Sequence, residues 1–322
     1  MTAHKSEGRP VSWRRGAHIA AGGATVDQRR ASAQRARPCR AGILAMIGAV
    51  ALPLAGALAW PLAGALALTV GLSFAAAWTR PAVAAEALPD TRRSGFDSMR
   101  PGTQAMQRDD TLNPGLLWVQ EGEALWNRPA GTTNRACAAC HGVATSAMRG
   151  VAARYPAFDV ASARPVDLAG RINLCRTRHQ QAAPLLAESD ELLALESFVG
   201  LQSRGLPIAP PVDARLAPSR ARGAARYAQR IGQLDFSCAQ CHDAQAGGRL
   251  AGSLIPQGHP TGYPLYRLEW QGLGSLQRRL RGCMTGVRAE PWTYGAPELI
   301  ELQLYLAERA AGLRVETPAV RP

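Results

Sequence analysis

Among 322 residues, 37 Lys and Arg stand against 24 Asp and Glu, a formal net charge of +13. Ten of those cations and two of the acids lie in residues 1–85, which leaves 27 and 22 for everything after. With no basic stripe interleaved with aromatics, nucleic acid is excluded as a partner, and the length suits two domains behind a leader.

Residues 1–86 read as that leader. A basic stretch ending at Arg40 precedes an apolar run from Gly42 to Trp78, and Pro81 to Glu86 offers an Ala-x-Ala cleavage pattern. The run is also long enough to span a bilayer, so a cleaved export signal and a retained anchor both fit it. Arg14-Arg15 and Arg29-Arg30 lack the rest of a twin-arginine signature, and Cys39 falls inside the leader. Either form places the body outside the cytoplasm, where cysteine oxidation chemistry is stable.

The body is a tandem repeat, with one half over 87–212 and the other over 213–322. Glu123-Ala124-Leu125-Trp126 in the first half aligns with Ala224-Ala225-Arg226-Tyr227 in the second, a helix turning an aromatic to its own core. Next come Cys137-Ala138-Ala139-Cys140-His141 and Cys238-Ala239-Gln240-Cys241-His242. Each is followed by a segment ending in a lone cysteine, Cys175 or Cys283, and then by an apolar-periodic helix near 191–199 or 298–306. Pro207, Pro210 and Pro211 mark the linker. No long alternating stretch suggests a sheet. The fold class is therefore mainly α, with two cytochrome c domains related by internal duplication.

Two thiols three residues apart can each bond a haem vinyl group, and the adjoining His then reaches the iron. The repeat thus implies two covalently bound haem c groups, on Cys137 and Cys140 and on Cys238 and Cys241. A disulfide framework or a zinc site leaves the following His unexplained in both copies. For the far side of each iron the candidates are Cys175, His179 and Met148 in the first half, and Cys283, Met284 and His259 in the second. Only the two cysteines match between halves. The expected iron ligands are therefore His141 with Cys175 and His242 with Cys283; a Cys175–Cys283 disulfide is the rival use of the pair. Thiolate ligation favours ferric iron and lowers the potential.

Arg278, Arg279, Arg281 and Arg288 surround Cys283. A helix over 275–282 would set Arg279 one turn before Cys283 on the same face, suited to an oxidised-sulfur anion joined to the thiol. Arg288 reaches the same anion from the following loop. Pairing of these arginines with haem propionates is the competing use. Trp118, Trp126, Trp270 and Trp292 read as core or haem-packing residues.

The two haem motifs, Arg171-Ile172-Asn173-Leu174-Cys175-Arg176, and Cys283 followed by Arg288-Ala289-Glu290-Pro291 together resemble the SoxA family, dihaem subunits of the periplasmic SoxAX cytochrome complex. The resemblance spans most of residues 90–315. It implies a monohaem cytochrome partner, SoxX, and Cys283 as a catalytic cysteine carried as a persulfide or similarly modified ligand. It also implies Arg279 as the substrate-binding arginine, thiosulfate as substrate, and the SoxYZ carrier as second substrate through a cysteine of SoxY. A soluble cytochrome c would accept the electrons. A thiosulfate dehydrogenase forming tetrathionate and a plain electron carrier are the alternative functions.

Overall fold

The structure, a computed structural model, describes residues 90–322. The leader, its cleavage pattern and Cys39 lie outside the described residues. Each half is built on two packed helices: Gly115–Asn127 against Asp190–Leu201, and Ala217–Ala228 against Pro297–Arg309. Glycine permits the close approach. A Cβ at Gly122 would stand 2.1 Å from the Ala194 carbonyl oxygen, and one at Gly223 2.1 Å from that of Glu301. Both glycines are buried in the same turn of equivalent helices, so the repeat extends to backbone contacts.

Leu125, Trp126, Leu195 and Phe198 fill the core of the first half; Tyr227, Leu302 and Leu306 fill that of the second. Each such leucine contributes about 1.5–3 kcal/mol by leaving water. Around these pairs run short, irregular segments. Hairpins recur at Ala157–Asp159 with Arg164–Val166, and at Leu265–Arg267 with Gly272–Gly274, both antiparallel. Their turns place Ala163 and Gln271 in the left-handed region, at φ 51° and 53°. Helix Leu168–Cys175 then starts on the Asp167 side chain, which accepts from the Gly170 N–H, and Leu276–Gly286 starts on Ser275, which accepts from Arg278. Such caps fix where each helix begins and hence where its lone cysteine falls.

Two features depart from the repeat. The second half carries an additional hairpin, Arg249–Leu250 with Ser253–Leu254, after its haem motif. The segment before the first helix pair also folds onto the C-terminal tail: Arg92 donates to the carbonyls of Arg309 and Ala311 at 2.9 Å, and Asn113 to Pro318 at 2.9 Å. That tail, Ala319–Arg321, pairs in parallel with Leu265–Arg267 and closes a three-stranded sheet. Among the described residues no helix is long and apolar enough to cross a membrane.

Candidate functional site

In the first half, helix Cys137–His141 presents the motif, with the Trp126 ring 5.6 Å from that of His141 and its Nε1 donating to the Gly142 carbonyl. In the second, Cys238 leads into a wider turn, Gln240–Ala244, that carries Cys241 and His242. The wider turn positions His242 Nδ1 2.7 Å from the Pro256 carbonyl oxygen. All six cysteines of the described residues are free thiols, so Cys175 and Cys283 are not bridged.

Motif and lone cysteines bear on one another within each half. Burial pushes the Cys137 thiol up, aided by Cys175; burial drives Cys238 to about 11, with Cys283 contributing. His242 faces Cys283 directly. Among the described residues no group of three or more His, Cys, Asp or Glu converges. Paired thiols beside a histidine, with one sulfur facing it, fit haem c better than a tetrahedral metal cage. Of the other ligand candidates, His179 is exposed and Met148 packs against the first core. His259 is held neutral, at about 4, by burial and by Arg309 and Arg92. Met284 is buried next to Cys283.

The two lone cysteines sit in opposite electrostatic settings. Burial raises the Cys175 thiol above its ordinary value despite Arg171 and Arg178. Burial opposes the Cys283 thiolate as well, yet contact with His242 and the charges of Arg279 and Arg267 outweigh it, and the thiol is held below its ordinary value. A thiol shifted in this direction ionises more readily, and the thiolate is the form that binds metals and attacks as a nucleophile.

The arginines around Cys283 separate by role. Arg278 lies over Trp270, 4.2 Å from the ring centroid, and Arg281 over Tyr294 at 4.5 Å while bonding the Trp292 carbonyl. Arg288 is exposed, in a left-handed turn whose carbonyl receives the Gln233 N–H. Arg279 alone of the four lies one helical turn before Cys283, half-buried, and among the described residues it makes no ion pair. Arg267, from the hairpin, was not marked by any motif; its signal lies in the match between the two hairpins.

The family described as SoxA/TsdA, cytochrome c domain, matches residues 121–208 and 222–315. This chain belongs to the SoxA family. It is 36% identical over 232 residues to the L-cysteine S-thiosulfotransferase subunit SoxA of Rhodovulum sulfidophilum, covering 72% of this chain and 81% of that one. To the subunit of the same name from Pseudaminobacter salicylatoxidans it is 36% identical over 242 residues, covering 74% and 85%. The fold is similar to a chain in the crystal structure of SoxXA from P. pantotrophus, with TM-score 0.69 and 33% identity, covering 72% of this chain and 87% of that one. Members of the family carry cytochrome c domains, and such a domain binds haem c.

Proposed function

We propose that this chain is the dihaem catalytic subunit of an L-cysteine S-thiosulfotransferase, coupling thiosulfate to a cysteine of the SoxY subunit of a SoxYZ carrier in the periplasm. Supporting this are the curated names of its relatives and the solved SoxXA complex, which points to a SoxX partner. The observation that carries the reading is Cys283, a thiol held below its ordinary value and set one helical turn after Arg279, a half-buried guanidinium that makes no ion pair among the described residues.

Cys137, Cys140 and His141 with Cys175 would hold one haem c, and Cys238, Cys241 and His242 with Cys283 the other. When bound, haem supplies an acceptor that takes electrons singly and passes them toward the partner cytochrome and a soluble cytochrome c. The Nδ1 bond to Pro256 fixes the His242 ring and leaves Nε2 as its basic nitrogen.

Arg279 binds the sulfonate of thiosulfate and turns its outer sulfur toward Cys283, while exposed Arg288 adds positive charge nearby. The Cys283 thiolate and thiosulfate join through a new S–S bond, releasing two electrons and no proton. The carrier thiolate then attacks the outer sulfur, the bond to Cys283 breaks, and Cys283 leaves as thiolate. The product is the carrier cysteine S-thiosulfonate.

In Cys283→Ser both haems should remain covalently attached, read by intact mass, while thiosulfate-dependent modification of the carrier is lost. Full activity of that variant rules the reading out. Tetrathionate formed by the parent protein without carrier would instead favour a thiosulfate dehydrogenase.

A further inference from the structure

The hairpins before the two lone cysteines share one pairing register. Ala157 pairs with Val166 and Asp159 with Arg164; in the second half Leu265 pairs with Gly274 and Arg267 with Gly272. Asp159 and Arg267 are therefore the same position of the repeat, just as Arg171 and Arg279 are, each one turn before its cysteine. At this position the charge is reversed.

In the first half Asp159 consumes the local cations. Its carboxylate, 3% exposed, holds Arg171 at 2.9 Å and Arg178 through two bonds of 2.8 and 3.0 Å. Both guanidinium groups are thereby tied to one carboxylate. In the second half a guanidinium replaces that carboxylate. Arg267 takes Glu269 at 3.0 Å on its outer edge, where Glu269 is mostly exposed, and lies 5.2 Å from the Trp270 ring centroid. Its Nε is buried with no partner. Arg267 on its strand and Arg279 on its helix thus stand where Asp159 and Arg171 pair in the first half, and among the described residues Arg267 pairs only with Glu269 and Arg279 with no carboxylate. Two guanidinium groups in a partly buried site repel one another, and an anion placed between them relieves that repulsion.

We infer that Arg267 is a second anion-binding residue of the Cys283 site, and that the Asp159/Arg267 exchange decides which half accepts thiosulfate. This rests on the function proposed above and adds the residue that selects for a doubly charged substrate. Arg279 and Arg267 share the dianion, whereas Asp159 fills the corresponding place at Cys175.

The test uses the haem-loaded complex with its cytochrome partner, thiosulfate and carrier protein. Arg267→Met should raise the thiosulfate KM about tenfold, equivalent to ~1.4 kcal/mol of binding, with a smaller change in kcat. Arg267→Asp should raise KM further, because its carboxylate would pair with Arg279 as Asp159 pairs with Arg171. Arg267→Lys, which keeps the charge but loses the planar fork, should fall between the parent and Arg267→Met. Arg279→Met and Cys283→Ser serve as controls. If those two remain fully active, the proposed function itself fails. If they are inactive while Arg267→Met and Arg267→Asp keep the parent KM, this inference fails and the function stands. An Arg267→Asp no worse than Arg267→Met overturns the exchange. Loss of haem from all three Arg267 variants, Arg267→Lys included, marks a purely structural role and overturns the inference as well.

Discussion

His242 and Pro256 are joined by a 2.7 Å hydrogen bond from imidazole Nδ1 to carbonyl oxygen. A carbonyl only accepts, so Nδ1 carries a proton. Gly258 braces the same ring from below at φ 74°, and a Cβ there would lie 3.1 Å from Cγ and 3.2 Å from Nδ1. Gly258→Ala therefore both strains the backbone and pushes the ring. The expected outcome is a rise in the high-spin fraction of the haem proposed for the second half, read by electron paramagnetic resonance, with the covalent haem content unchanged. A spectrum identical to the parent's would show that this turn does not orient His242 as the proposed ligand.

A stability prediction comes from the helix pairs. The Cβ of Gly223→Ala would have to displace the Glu301 carbonyl and the Tyr305 side chain, at 2.1 and 2.9 Å, so the helices must separate. Overpacking of this kind costs about 1–3 kcal/mol. Thermal unfolding followed by circular dichroism should show a lower Tm, and an unchanged Tm would mean the helices are less tightly fixed than their contact implies.

Much of this was legible in the sequence, because the repeat itself was legible. The haem motifs, the aromatic of each first helix and the apolar closing helices keep their spacing whatever lies between them. Helix 276–286 sets Arg279 on the face of Cys283 because Ser275 caps it. Arg267 was not legible, since an arginine on a three-residue strand follows no periodicity. Its meaning emerges only once the hairpins are aligned and Asp159 is seen holding Arg171. The sequence alone does not separate the four arginines by role, for the same reason. Arg278 and Arg281 stack on aromatics that are distant in no obvious pattern, and only packing separates them from Arg279. The docking of Arg92 and Asn113 on the C-terminal tail is a contact across two hundred residues that local sequence does not encode.

Asp159 carries an acid-sensitivity prediction. Bonds from Arg178 and then Ser162 hold its carboxyl well below the usual carboxylate range. A depressed value means that its stabilising contribution is complete above the unfolded pKa, near 4 for an aspartate, and is lost as pH falls below it. Asp159→Asn should lower Tm at pH 7 and remove part of the Tm loss seen between pH 5 and pH 3. Equal pH dependence in parent and variant would place the acid-labile group elsewhere.

Glu196 runs the opposite way. It is 8% exposed and lines a cavity of about 300 Å³ shared with Asp167, Glu188, Gln277 and Gln303. Burial first, then the charges of Asp167 and Glu188, raise its carboxyl well above the ordinary range. The folded chain then holds a proton that the unfolded chain releases near pH 4, so stability falls as pH rises above that value. For one proton the slope in this window is at most ~1.4 kcal/mol per pH unit. The repeat supplies the remedy, because Gln303 holds the matching place on the second closing helix and donates to Asp167 at 3.1 Å. Glu196→Gln copies that amide and carries no charge to bury. Its Tm should match the parent's at pH 4, exceed it at pH 7, and exceed it by more at pH 8, with the haem content unchanged. A gap that narrows as pH rises would mean Glu196 is ionised in the folded protein and paired with a cation in that cavity.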